Sequence, residues 1–172
     1  HFFIANLIKM FYNNNGILLL QNKKGLFKRI VKEVDIVIPA VHGYNMEDGN
    51  IQGLLETYGV PYTGSDIYGC TVGQDKVFQK QILEAENIPV TKYVWFGERF
   101  YRNKKTELFK QINELNYPLI IKPASLGSSV GIEMITRKEE IDSTIERVFK
   151  YDNKVIIEEK VEDLIEYNCS VL

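Results

Sequence analysis

Apolar positions recur along this chain with two periods. Val34-Asp35-Ile36-Val37-Ile38-Pro39 is a short β-branched run closed by proline, and it reads as a buried strand ending in a loop. After Asp48, Ile51, Leu54, Leu55 and Tyr58 fall at i, i+3, i+4 and i+7, the stripe of an amphipathic helix. Glu47 and Asp48 sit at its start, where the helix dipole favours negative charge, and Gly59 stops it. Val60-Pro61-Tyr62-Thr63-Gly64 reads as the next short strand, and a second helix is expected from about Gly73 to Glu86, before Asn87-Ile88-Pro89. Alternating strands and helices imply a parallel sheet with crossover connections.

The second half uses the same elements with different spacing. Tyr93 to Phe96 alternates as a strand, and Leu108, Ile112 and Leu115 mark one face of a helix ending near Asn116-Tyr117-Pro118. Leu119-Ile120-Ile121-Lys122-Pro123 is the next strand, a small-residue loop runs from Ala124 to Gly131, and Ile132 to Ile135 resumes as a strand. Thr136-Arg137-Lys138-Glu139 has the form of a capping box for a helix with Ile141, Ile145, Val148 and Phe149 on one face. Lys154 to Glu159 and Glu166 to Leu172 are expected as closing strands. The change of pattern predicts two units, up to about residue 72 and from about residue 73.

Composition narrows the partners. With 21 basic and 23 acidic side chains in 172 residues the net charge is -2, so no cationic excess is available to release counterions from a nucleic acid. No apolar run approaches a membrane-spanning length; Ile17 to Leu20 and Ile36 to Val41 are the longest. The first residues have neither an initiator methionine nor the basic flank and cleavage site of a signal peptide. Cys70 and Cys169 lie far apart without ligand-like spacing, which fits a reduced, cytoplasmic protein.

The sharpest local feature is Ser125-Leu126-Gly127-Ser128-Ser129-Val130-Gly131, whose glycines and serines could offer amides and hydroxyls to phosphate oxygens. Alone, such a loop is an ordinary hairpin connection. Lys122 just before it ends an apolar strand, where a buried cation needs an anionic partner. The Walker spacing is absent, and the element after the loop is a strand, so this is no P-loop. Glu158, Glu159 and Glu166 by themselves read as solvated carboxylates, and Lys76 as a surface lysine. His42-Gly43 after a buried strand, with Glu47 close behind, places an imidazole and a carboxylate at the carboxyl end of a sheet, the usual position of ligands.

Taken together, His42-Gly43-x-x-x-Glu47-Asp48-Gly49-x-x-Gln52-Gly53, Gly59-Val60-Pro61-Tyr62-x-Gly64-Ser65, Asp75-Lys76 and Lys122-Pro123-Ala124-x-x-Gly127-Ser128-Ser129-Val130-Gly131-Ile132 resemble the D-alanine:D-alanine ligases, members of the ATP-grasp superfamily. The resemblance runs from about Asp35 to Leu172 and is looser over the first 30 or so residues. It implies an α/β fold: a partial open parallel sheet of Rossmann-like type, residues 1–72, on the substrate side. An α+β ATP-grasp central subdomain with a mainly antiparallel sheet, residues 73–172, would follow. ATP would lie between two sheets, with Lys76 and Lys122 on its phosphates and the flexible loop Gly127, Ser128, Ser129 and Gly131 closing over them. Glu158, Glu159 and Val161 would form the hinge that binds adenine, and Glu166 would hold the ribose. His42, supported by Glu47, would line the first D-alanine, faced by Ser128.

The implied chemistry is ATP-dependent joining of two D-alanines through an acylphosphate, for peptidoglycan precursors. Phosphoryl transfer asks a protein mainly for position and positive charge. No covalent nucleophile is implied, and neither cysteine is assigned one. The glycine-rich start of the family, its catalytic arginine and the Asp, Glu and Asn ligands of Mg²⁺ have no counterpart between His1 and Leu172. The chain is therefore expected to be a fragment that does not turn over alone. Ligases using D-lactate or D-serine as second substrate, and a non-catalytic nucleotide-binding remnant, stay open at this stage. Family members commonly pair through the first domain, so a homodimer is the expected assembly.

Overall fold

A computed structural model describes residues 8–12, 18–22, 29–40 and 42–169. The chain divides into two compact units, His1–Val72 and Gly73–Leu172.

In the first unit, β1 (Ile8–Tyr12), β2 (Leu18–Asn22) and β3 (Arg29–Val34) form an antiparallel sheet in sequence order. The short connections permit only hairpin-like pairing, because a parallel neighbour needs a crossover of a dozen residues or more. The expected parallel sheet reduces, among the described residues, to a single parallel bridge between Val37 and Tyr62. Val37 N donates to Pro61 O at 2.9 Å and Thr63 N to Val37 O at 3.0 Å. Ile36 and Ile38, expected in a buried strand, are exposed, since only Val37 turns toward an apolar cluster. Ile17 and Val41, which bound the two longest apolar runs, lie outside the described residues.

Helix α1 (Asn50–Thr57) follows the predicted stripe, and Leu55 packs with Val60, Val37, Ile51, Tyr58 and Tyr62. Asp48 accepts from Asn45 N at 2.8 Å and Asn50 N at 3.2 Å, so it shapes the turn before the helix. Gly49, at φ 95°, is a forced glycine: a Cβ there would lie 2.6 Å from Thr71 Oγ1.

The helix expected from Gly73 to Glu86 is broken. α2 (Ile67–Gln74) ends before Asp75, and α3 (Lys76–Ala85) begins after it. Asp75 adopts extended backbone and its carboxylate accepts from Val77 N and Phe78 N, the geometry of an N-cap.

The second unit is a four-stranded antiparallel sheet, as expected. Its strands β4 (Tyr93–Gly97), β5 (Leu119–Pro123), β6 (Glu133–Ile135) and β7 (Lys154–Glu159) stand in the order β4-β7-β5-β6. Alternation sorts its side chains. Phe96, Leu119, Ile121, Ile135, Val155 and Ile157 enter the main core with Tyr101, Leu108 and Ile112 of α4 (Glu98–Ile112) and Ile141, Ile145 and Val148 of α5 (Ile141–Val148). The other face carries Tyr93, Trp95, Lys122, Lys154, Ile156 and Glu158, where Val77 of α3 packs with Ala124 and Ile156.

Two sequence expectations shift here. The cap before α5 is made by Glu140, which accepts from Thr136 N and Arg137 N at 3.1 Å each, one position beyond Glu139. Residues 164–169 are irregular and Leu164, Ile165 and Tyr167 are exposed, so the expected strand from Glu166 does not form over the described residues. A strand needs a neighbouring strand for its amide and carbonyl groups, and the described sheets do not extend to this segment. Residues 170–172 lie outside the described part.

Candidate nucleotide site

The charged face of the second sheet is where the candidate residues gather. Ile120 on β5 stands opposite Glu158 on β7, which puts Lys122 on the diagonal to Glu158, a reach suited to long side chains. Lys122 Nζ bonds Glu158 Oε1, with the two side chains 17% and 13% exposed. Lys80, one turn beyond Lys76 on α3, comes to Glu158 Oε2 at 3.1 Å. Glu158 is thus gripped at both oxygens. Burial pushes its carboxyl upward, but the hydrogen bond and charge of Lys122, then those of Lys80, outweigh this and leave it below the ordinary carboxylate value.

Lys76 is fixed by the loop. Its backbone N donates to Ala124 O at 3.0 Å, and its Nζ donates to Ala124 O at 3.4 Å and to Leu126 O. Burial, and then the nearby charge of Lys122, lower its pKa. Two ammonium groups almost fifty positions apart in the chain therefore sense each other, an arrangement that an anion would relieve.

The Ser125–Gly131 segment is the turn between β5 and β6. Val130 N donates to Gly127 O at 3.2 Å, with Ser128 at φ 52° and Ser129 at φ 57°. Two successive non-glycine residues in the left-handed region are costly, and they are the backbone geometry of a tight hairpin turn. Gly131, at φ 71°, closes the turn where a Cβ would come within 2.9 Å of Pro123 Cγ and 3.0 Å of Tyr151. Gly127 to Val130 are exposed.

The remaining candidates have other surroundings. Glu159 accepts from Asn116 N and Nδ2 at 2.9 Å each, which ties the end of β7 to the segment between α4 and β5. Its backbone N donates to Lys92 O at 3.1 Å. Val161 is exposed beyond β7, and Glu166 lies in the irregular segment. In the first unit, Glu47 Oε1 stands 3.5 Å from His42 Nδ1, and its Oε2 accepts from Gly43 N at 2.7 Å. The His42 side chain is 93% exposed.

Sequence reasoning missed Lys80 and the pair Lys154–Asp75. Lys80 carried one signal, its helical i+4 spacing from Lys76. Lys154 Nζ lies 2.8 Å from Asp75 Oδ2 and over the rings of Phe78 and Trp95, at 4.3 and 5.0 Å. It fastens the first turn of α3, and hence Lys76, to the sheet.

Comparison with known proteins meets this geometry. Residues 11–65 match the family described as "D-ala D-ala ligase N-terminus" and residues 82–172 the family described as "D-ala D-ala ligase C-terminus". The chain belongs to the D-alanine:D-alanine ligase family. A D-alanine–D-alanine ligase of Bacillus licheniformis is 43% identical over 129 residues, 74% of this chain and 36% of that protein. One from Borreliella afzelii is 38% identical over 91% of this chain and 42% of its own length. Among solved structures, the VanG D-Ala:D-Ser ligase from Enterococcus faecalis aligns with a TM-score of 0.75 at 36% identity, covering 92% of this chain and 44% of that one. A D-alanine–D-alanine ligase from Helicobacter pylori aligns with a TM-score of 0.72 at 26% identity, covering 91% and 44%. The chain thus spans less than half the length of these ligases.

Proposed function

We propose that this chain is the substrate-side and central nucleotide-binding part of an ATP-dependent ligase that joins two D-alanines for peptidoglycan precursors in the cytoplasm. The observation that supports the reading is Lys76 bonded to Leu126 O at the start of the turn and close enough to Lys122 to feel its charge, on a sheet face that carries Glu158. In this reading Lys76, Lys122 and the turn, with Ser129 among its amides, take the phosphates of ATP. Glu158, Glu159 and Val161 serve the adenine, largely through their backbone groups, and Glu166 the ribose. His42, steadied by Glu47, and Ser128 serve the first D-alanine.

The chemistry needs no protein nucleophile. A carboxylate oxygen of the first D-alanine attacks the γ-phosphorus, the bond to the leaving ADP oxygen breaks, and an acylphosphate forms. The amine of the second D-alanine then attacks the acyl carbon, and phosphate departs with the peptide bond made. Charge spreads over the phosphoryl oxygens during transfer, so fixed ammonium groups act most strongly in the transition state. Mg²⁺ would enter with the nucleotide. Among the described residues no group of three or more His, Cys, Asp or Glu side chains is placed to hold it. A homodimer is the proposed assembly.

The test uses the product of the complete reading frame. D-alanyl-D-alanine, identified by mass spectrometry, should appear with equimolar phosphate and ADP. Lys122→Ala should raise the KM for ATP and lower kcat together, as loss of a charge that counts in both states requires. The similarity to a D-Ala:D-Ser ligase favours D-serine as the alternative second substrate, and competition between D-alanine, D-serine and D-lactate decides it. A folded protein that releases no phosphate with any of the three would overturn the reading.

A further inference from the structure

In the structure Lys122 is committed to Glu158, yet the proposed function needs its ammonium on a phosphate. Moving it away would strand a carboxylate that is 13% exposed, which is costly unless a second cation stays behind. Lys80 is placed to stay. Its Nζ is 3.1 Å from Glu158 Oε2, 2.5 Å from Thr91 Oγ1 and 3.3 Å from Thr91 O, and it lies 5.1 Å from the centre of the Tyr93 ring. Thr91 Oγ1 is itself 3.5 Å from Glu158 Oε2. These partners come from β4, the segment before it and β7, all within the second unit, so the Lys80 ammonium is held at several points. Lys122, by contrast, bonds Glu158 Oε1, the oxygen that Lys80 leaves free.

We propose that Lys80 is a positioning residue for nucleotide binding: it holds and neutralises Glu158 through Oε2, so that Lys122 can leave Oε1 for a phosphate oxygen. The role rests on the reading of Lys122 as a phosphate ligand. Without Lys80, Glu158 would keep Lys122 as its sole counter-ion, and phosphate would have to compete for it. Arginine at position 80 keeps the charge and can reach the same oxygen. Methionine keeps the length and loses the charge.

The experiment is calorimetric titration of the complete gene product with ATP in the absence of D-alanine, so that binding is read without turnover. The variants are Lys80→Met, Lys80→Arg, Lys122→Met and the double Lys80→Met/Lys122→Met. Lys80→Met should weaken binding by at least about tenfold, which is about 1.4 kcal/mol, and Lys80→Arg should restore it to within about threefold. The double variant should bind like Lys122→Met alone, because Lys80 acts through Lys122 and the two losses do not add. Should Lys80→Met fail to fold, Thr91→Val, which removes the hydroxyl bracing Lys80, is expected to weaken binding at least about fivefold in the same non-additive way. A purely structural Lys80 would lower the melting temperature and leave ATP affinity within about threefold, and that result overturns the proposal. Losses that add in the double variant overturn it too. Absence of ATP binding by the unmodified protein overturns the underlying reading before any variant is compared.

Discussion

Asp75 offers the most direct test of how the site is held together, because one carboxylate does two separable jobs. It caps α3 through Val77 N at 2.8 Å and Phe78 N at 3.2 Å, and it pairs with Lys154 at 2.8 Å. Loss of an N-cap costs about 1 kcal/mol. The ion pair is largely shielded, with side chains 12% and 18% exposed. Removing one member of a fully buried pair costs 3–5 kcal/mol, and the remaining exposure, with the Phe78 and Trp95 rings still under the ammonium, reduces this to about 2 kcal/mol. Asp75→Ala should therefore destabilise the second unit by about 3 kcal/mol. Asp75→Asn keeps a cap acceptor and loses only the charge, so it should cost about 2 kcal/mol. Adding Lys154→Met to Asp75→Asn removes the stranded cation and should recover about 1 kcal/mol or more.

The assay is urea denaturation followed by the fluorescence of Trp95, the single tryptophan of the chain, which sits in the second unit and reports on it directly. Equal slopes would show that the same surface unfolds in each variant. If Asp75→Ala cost under about 1 kcal/mol, or Asp75→Asn cost as much as Asp75→Ala, the division into cap and ion pair would be wrong.

Three further outcomes follow from the same geometry. Tyr101, 1% exposed in the core, donates its hydroxyl to Asp142 Oδ1 at 2.6 Å and Glu146 Oε1 at 3.1 Å, so Tyr101→Phe should cost about 1–2 kcal/mol; a neutral effect in denaturation would show that water replaces it fully. Gly131→Ala forces a Cβ to within 2.9 Å of Pro123 at φ 71° and should cost about 2 kcal/mol, seen as faster amide exchange across β5 and β6. Glu158 and Asp142 have folded pKa values below the ordinary 4.5 and 3.8. Their contribution is therefore fully present above those values and is lost as pH falls through the depressed folded ones, so thermal stability should drop in that acidic window, and less steeply in Asp142→Asn.

The second unit was largely legible because its elements declare themselves locally. β5 alternates buried and partly exposed residues, the α5 stripe of Ile141, Ile145 and Val148 is fully buried, and no expected strand up to Glu159 was lost. The first unit was less so. A β-branched run such as Ile36 to Ile38 has strand propensity wherever it lies, but burial depends on neighbours far away in the chain, and the cluster around Leu55 is too small to cover more than Val37. The break at Asp75 was legible in kind, an Asp before a helical stripe, but the apolar periodicity runs through it and hides it.

The site was legible as a set of residue types and not as a circuit. Lys122 at a strand end and the glycine-serine turn both stand out in one dimension, whereas the partners that set their chemistry are remote: Glu158 is 36 positions from Lys122, and Asp75 is 79 from Lys154. The charge balance shows the consequence most clearly. The chain as a whole carries -2, which argues against nucleic acid as a partner. On the face where α3 meets the sheet, Lys76, Lys80, Lys122 and Lys154 stand among four carboxylates, Asp75, Glu84, Asp152 and Glu158, so the face balances in sum. Its cations are nonetheless gathered where water is partly excluded, so their fields are screened less than those of charges on the open surface. A phosphate entering beside Lys76 and Lys122 interacts with those ammonium groups and hardly with the rest of the chain. Net charge therefore excluded an extended polyanion such as nucleic acid, which needs a broad basic surface, and was blind to a compact one.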